Sequence, residues 1–281
     1  MMAPSTSQRA LSIAAVYAHP DDGEFFAAGA LARWASEGHR IYAICATNGD
    51  LGTKRRDVTR EEVARTRADE LAAAMRTIGG EPPILLGYAD GTLREHASSL
   101  RERLVRLYRE LALDRIVTFD PWKQYEVHPD HMEIGRAASE AAAFSCFPLH
   151  HREHLQGGLE PKQPAEVWFM MPSDRRPNRI VDIEPTFDTK VKSLLCHASQ
   201  MEMLAPWFVP GADPTRTDPE QRRAIEQGAR AFLHHMARGA ARWTRKVKLA
   251  EAYYALRVGP GHFEDFASTF KKPTRDAEIL R

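Results

Sequence analysis

Short apolar runs alternate with amphipathic runs through the first half of the chain. The run 12–18 (SIAAVYA) reads as a buried strand, 25–36 as a helix stopped by Gly38, and 40–47 as a second strand. A polar loop follows at 48–57. Thr59 with Glu62 three residues on has the form of a capping box, opening a helix that Gly79-Gly80 ends near 78. A third strand is expected at 83–88, a helix at 100–113, a fourth strand at 115–120 and a helix at 130–143. Such alternation predicts right-handed crossovers and a mostly parallel α/β sheet flanked by helices.

The second half is less regular. Strands are expected at 165–171 and 179–183, a helix at 187–197 and a long loop at 206–218, rich in Pro, Gly and Asp. A helix over 220–243, with Gly228 and Gly239 as weak points, precedes a last apolar run at 252–258. The tail from 260 reads as surface-wrapped or loose. Neither a linker nor a repeat interrupts the chain. One domain over 1–281 is expected, with a core of about 11–200 and a helical and strand elaboration of about 201–281.

Composition adds limits. The 281 residues are 43% hydrophobic and 27% charged, as in an ordinary soluble protein. A net charge of +1 gives no general attraction to nucleic acid or an anionic membrane, so neither is expected as a partner. The three cysteines, Cys45, Cys146 and Cys196, are odd in number and widely spaced, which reads as reduced thiols in a cytoplasmic protein. No apolar run is long enough to span a bilayer. Arg9 followed by an apolar stretch imitates a short signal peptide. That stretch leads straight into His19-Pro20-Asp21-Asp22, and cleavage would remove the strand presenting them, so a mature N-terminal strand is expected instead.

Two polar clusters carry the chemistry: Ala18-His19-Pro20-Asp21-Asp22-Gly23-Glu24 and His128-Pro129-Asp130-His131. Each follows an expected strand, on the side where open parallel sheets bind ligands. Catalytic zinc takes three protein ligands and leaves one position open. His19, Asp22 and His131 can supply such a set, leaving Asp21 as a free carboxylate to take a proton from water. His128 would face the substrate, stabilising the oxyanion or protonating the leaving amine. Taken singly, each cluster also reads as a helix start, with Pro and Asp as turn and capping residues. Together at two strand ends they favour a metal.

These residues resemble the PIG-L/LmbE-like deacetylase family. AHPDDGE at 18–24 and HPDH at 128–131 look like its catalytic motifs, and TNGDLGT at 47–53 and LGYADGTL at 86–93 look like its loops. RTRADELAAAMRTIG, with Arg67 and Glu70, fits the following helix; KVKSLLCHASQ at 190–200 and AEAYYALRV at 250–258 are similar to its later signatures. The resemblance implies a Rossmann-like fold and hydrolysis of an N-acetyl or related amide on an amino-sugar derivative. It implies zinc, or another divalent transition metal, on His19, Asp22 and His131. Asp21 would be the base, His128 the acid or electrophile, and Asp130 would orient His128. Arg67 and Asp90 would contact substrate, with Asn48 at the pocket border. Some members carry a tyrosine two residues before HPDH; here Glu126 stands there and Tyr125 one further away.

Other readings compete. A nucleotide-binding enzyme would need a Gly-x-Gly-x-x-Gly loop after the first strand, where AHPDDGE stands instead. An amidase for a thiol-sugar conjugate and a silent carbohydrate-binding protein are the alternatives on the same fold. Trp122, Lys123, Gln124 and Tyr125 would stack on a sugar or simply pack a loop. His150, His151 and His154 have no carboxylate or cysteine at ligand spacing, so a second metal site is not expected. His197 reads as a structural residue or as a support of the site from behind, the structural role being slightly favoured, and Lys54-Arg55-Arg56 reads as a solvated loop. The sequence leaves metal identity, exact substrate and self-association open.

Overall fold

A computed structural model describes residues 9–170, 176–215 and 218–259, and the backbone of 278–280. Expectations for the tail between 260 and 277 lie outside the described residues. The chain runs β1 (Ser12–Tyr17), α1 (Asp22–Phe26), α2 (Ala28–Ser36), β2 (Arg40–Thr47), α3 (Arg60–Ile78) and β3 (Ile84–Tyr88). It continues through α4 (Ala97–Glu110), β4 (Arg115–Phe119), α5 (Pro129–Phe144), α6 (Arg152–Gln156), β5 (Glu166–Met170) and β6 (Arg179–Asp182). Then follow α7 (Phe187–Leu195), α8 (Ala198–Met203), α9 (Ala205–Phe208), α10 (Pro219–Ala241), β7 (Ala250–Arg257) and β8 (Glu278–Leu280).

One eight-stranded sheet has the order β3-β2-β1-β4-β5-β7-β6-β8. Strands β1 to β5 pair in parallel, whereas β7 is antiparallel to both β5 and β6. The α/β, mostly parallel expectation therefore holds, with one antiparallel strand inside the sheet. The chain moves outward from β1 to β3, then returns to β4 on the far side of β1. This reversal opens a crevice at the carboxyl ends of β1 and β4.

The central strands are fully buried runs, Ile13 to Val16 and Ile116 to Val117 among them. Helix α3 begins with the expected capping box between Thr59 and Glu62 and ends on Gly79 in a left-handed conformation. Some boundaries differ from the sequence pattern. The run expected as one helix over 25–36 starts earlier and breaks at Ala27. The expected helix over 187–197 ends at Leu195, with α8 after it, and short α9 occupies the start of the expected 206–218 loop. Helix α6, in the histidine-rich stretch, had no clear periodicity.

Candidate metal centre

Strand β1 ends at Tyr17 and delivers His19 to the crevice. The turn after it is tight: His19 N–H donates to Asp22 Oδ2 at 2.8 Å, and Asp22 N–H donates to His19 O at 3.2 Å. Asp21 stands between them with φ 125° and ψ −23°, a conformation that a side chain rarely adopts. It persists because neighbours fix it. Its carbonyl accepts the N–H groups of Glu24 and Phe25, and its Oδ1 accepts from Arg67 Nη2 at 3.1 Å.

Arg67 is buried on α3. It also donates to Pro20 O and, at 2.8 Å, to Gly49 O. Gly49 has φ 60°, and a Cβ there would run into the Arg67 guanidinium. The glycine of the β2–α3 loop is therefore required by the arginine that crosses it. Arg67 was expected to touch substrate; the structure places it behind Asp21, tying the turn after β1 to the β2–α3 loop.

Asp22 lies between two imidazoles. Its Oδ2 is 3.4 Å from His19 Nδ1, and its Oδ1 is 3.4 Å from His131 Nε2. On its other side His19 turns Nε2 toward Asp90 Oδ1 at 3.2 Å and Asp130 Oδ2 at 3.5 Å, without a directed hydrogen bond to either. His128 packs its ring 4.5 Å from those of both His19 and His131. Ligand atoms of His19, His128 and His131 all lie within 4.8 Å of one another, as do those of His19, Asp90 and Asp130. Phe119, the last residue of β4, stacks on His131 at 4.2 Å.

Asp90 and Asp130 thus reach the centre in a different arrangement from the expected one. Asp130 accepts from the N–H groups of Gly91 (2.7 Å) and Leu93 (3.1 Å) and faces His19. It was expected to orient His128, whose Nδ1 is buried without a hydrogen-bond partner. Asp90 was expected at substrate; it sits against His19, its N–H held by Asp50 Oδ1 at 2.8 Å, while Arg60 secures Asp50 Oδ2 at 2.6 Å. Asn48 links β2 to β3, its N–H donating to Tyr88 O at 2.8 Å and its amide to Gly87 O at 3.4 Å.

The electrostatics follow from this crowding. Burial disfavours charge on His19, but Asp130, Asp22 and Asp90 outweigh it and hold its pKa well above the usual value. Against the same penalty, His131 and His19 hold the Asp22 carboxyl well below the carboxylate range. Asp21 is pushed up to about 6 by burial and by Asp22, with Arg67 opposing. His128 is lowered by burial and by the positive His19 and His131. Three carboxylates around three imidazoles, with His19 Nε2, His128 Nδ1 and His131 Nδ1 lacking hydrogen-bond partners, make a donor set suited to a cation.

Two carboxylates were passed over in the sequence. Glu24, inside the first motif, is buried and accepts from His197 Nε2 at 3.1 Å, so His197 does brace α1 from behind. Glu126, noted only as a departure, accepts from His128 N–H at 3.0 Å and lies 3.6 Å from His131 Nδ1. The place of Glu24 in the first turn of α1, three residues after Asp21, was the available signal for the first. A second group also forms: Glu102 on α4 meets His151, Glu153 and His154. Arg109 Nη1 donates to His154 Nδ1 at 3.1 Å, leaving neutral His154 its proton on Nε2, the nitrogen turned toward Glu102. That tautomer offers no lone pair to a metal there.

Residues 14–142 match the PIG-L family, described as GlcNAc-PI de-N-acetylase. That segment, a little under half of the chain, is what resembles the family. The diacetylchitobiose deacetylase of Thermococcus kodakarensis is 29% identical over 182 residues, 65% of this chain and 67% of that protein. The 1D-myo-inositol 2-acetamido-2-deoxy-alpha-D-glucopyranoside deacetylase of Rhodococcus jostii is 28% identical over 241 residues, 66% of this chain and 80% of that one. The structure of N,N'-diacetylchitobiose deacetylase from Pyrococcus horikoshii superposes with a TM-score of 0.76 at 26% identity, covering 92% of this chain and 86% of the other. The match spans β1 to α5, the segment that supplies all three imidazoles. Among the described residues no helix is long and apolar enough to cross a membrane.

Proposed function

We propose that this protein is a metal-dependent hydrolase that removes the acetyl group from the nitrogen of an amino-sugar derivative. The observation that carries the reading is the meeting of His19, His128 and His131 with Asp22, Asp90 and Asp130 at strand ends within the segment that matches the PIG-L family. Relatives named as deacetylases of acetylated amino sugars support the substrate class.

Zinc fits the mixed imidazole and carboxylate donors, with His19, Asp22 and His131 as its holders. Bound there, it would polarise the amide carbonyl and make water more acidic. The chain's own groups do the rest. Asp21, bonded to Arg67 rather than to an imidazole, takes the proton of the attacking water; a base lifted to about 6 works well near neutral pH. His128, its Nδ1 unpartnered, donates to the carbonyl oxygen as charge develops or to the departing amine. Asp90 and Asp130 stand 3.2 and 3.5 Å from His19 Nε2 and favour its charged form. Arg67 positions Asp21.

The test uses a methyl glycoside of N-acetylglucosamine and measures released amine. Chelation should abolish hydrolysis and zinc should restore it; activity that survives thorough metal removal refutes the mechanism. Asp21→Ala should bind zinc as the parent does and lose about 10²- to 10⁴-fold in turnover. Asp22→Ala should lose bound zinc, and equal zinc loss in both variants would reverse the assigned roles.

A further inference from the structure

The 121–127 segment between β4 and α5 is built inside out. Its charged side chains turn inward: Lys123 and Glu126 pair at 3.4 Å with only 18% and 15% of their side chains exposed. Glu126 also accepts from His128 N–H at 3.0 Å, while Asp120 accepts from Trp122 N–H at 3.0 Å. The large apolar side chains turn outward: Trp122 is 67% exposed, Tyr125 88% and Val127 89%. This shape is held rather than floppy. Tyr125 sits at φ 63°, and the Trp122 ring edge rests on Phe169 at 5.7 Å.

The face also has a location. Val127 adjoins His128 in the chain, and Glu126 faces His131. Leu51, a further exposed apolar side chain, comes from the β2–α3 loop; a Cβ on Gly91 would lie 3.9 Å from its Cδ1, and Gly91 N–H is bonded to Asp130. Of the eight large apolar side chains exposed among the described residues, four therefore lie on two loops that carry site residues. Exposed apolar side chains concentrated on the loops beside a polar centre mark a binding surface rather than chance exposure.

We propose that Leu51, Trp122, Tyr125 and Val127 bind an apolar aglycone, an alkyl or aryl group joined to the acetylated sugar. The inference rests on the deacetylase reading and names the substrate class within it. An apolar group is favoured over a second sugar because Leu51 and Val127 offer no polar atom. The loop's Lys123 and Glu126, which could bond hydroxyls, are already bonded to each other. A hydrocarbon needs only area, and two flat rings with two aliphatic side chains supply it.

The experiment compares hexyl and methyl glycosides of N-acetylglucosamine, of one anomeric form, with the zinc-loaded full-length chain. The hexyl glycoside should show a kcat/KM higher by about tenfold, equivalent to about two buried methylenes. Trp122→Ala and Tyr125→Ser should each pull that ratio toward one. Equal rates on both glycosides would overturn the inference while leaving the deacetylase reading intact. No hydrolysis of either would overturn both. If Trp122→Ala instead keeps the ratio and changes the hydrodynamic mass, the face belongs to a second copy of the chain, and the aglycone proposal fails.

Discussion

Asp21 shows at the scale of one residue how the centre trades stability for geometry. Its backbone lies at φ 125°, where a Cβ is disfavoured and glycine is not. Strain of this kind costs on the order of 1–3 kcal/mol and persists where the surroundings over-determine it. Arg67, the two helix N–H groups on Asp21 O and the Asp22 turn do that here. Asp21→Gly and Asp21→Ala both remove the carboxylate and its bond to Arg67, so their difference isolates the backbone. At an ordinary position glycine would be the less stable of the two. Here Asp21→Gly should be the more stable by about 1 kcal/mol, read as a higher urea midpoint at equal slope. Both should be inactive. Asp21→Ala being the more stable variant would show that the turn carries no strain.

Between α1 and α2 the helix breaks for a reason that no local pattern contains. At Ala27 the backbone leaves the helical region (φ −137°, ψ −9°), and a buried pair takes over the groups left free: Lys190 Nζ donates to Phe25 O at 2.8 Å and to Glu251 Oε1 at 2.6 Å. Glu251 in turn accepts from the N–H groups of Gly29 (3.0 Å) and Ala30 (2.8 Å), capping α2 from β7. Glu251→Gln removes the charge facing Lys190 and turns an amide N–H₂ toward a donor. A loss of about 3–5 kcal/mol is expected, read by urea unfolding. Lys190→Met with Glu251→Gln should cost less than the two single changes summed, because the uncompensated charge is gone. Strict additivity would mean that the two side chains act independently.

The same break marks the limit of what the sequence carries. The residues 25–36 are apolar enough for one helix, and the partners that divide it stand some 160 to 220 positions away. The parallel strands were legible because each is a buried apolar run bounded by turn residues, and His19, Asp22 and His131 were legible because two short motifs follow two of those strands. The pairing of Asp90 and Asp130 with His19 was not. It depends on β4 ending beside β1 and β3 one strand further out, which is a fact of sheet order rather than of spacing. Glu102 is the same case: it meets His151 across α4 and α6, too far along the chain for any ligand pattern.

At the scale of the molecule, sheet order bears on the expected core of about 11–200 with an elaboration of about 201–281. Strand β7, from residues 250–257, lies between β5 and β6 and pairs with both. Its Tyr253 is fully buried, with its ring 5.5 Å from that of Trp168 on β5. Helix α10 presses Ile225, Ala229, Leu233 and Ala237 into the same core, at the four-residue spacing of one helix face. A fragment of 1–200 would therefore leave β6 without β7, bare the backbone edge of β5 and expose Trp168. Unpaired edges and uncovered apolar faces of this size favour aggregation over folding. The whole chain should unfold as one cooperative unit, with far-UV circular dichroism and tryptophan fluorescence changing together. The 1–200 fragment should bind a hydrophobic dye and melt without a cooperative transition. A fragment that unfolds sharply, with native-like fluorescence, would instead make 201–281 an appendage, and the pairing of β7 with β5 would then contribute little to the stability of the centre.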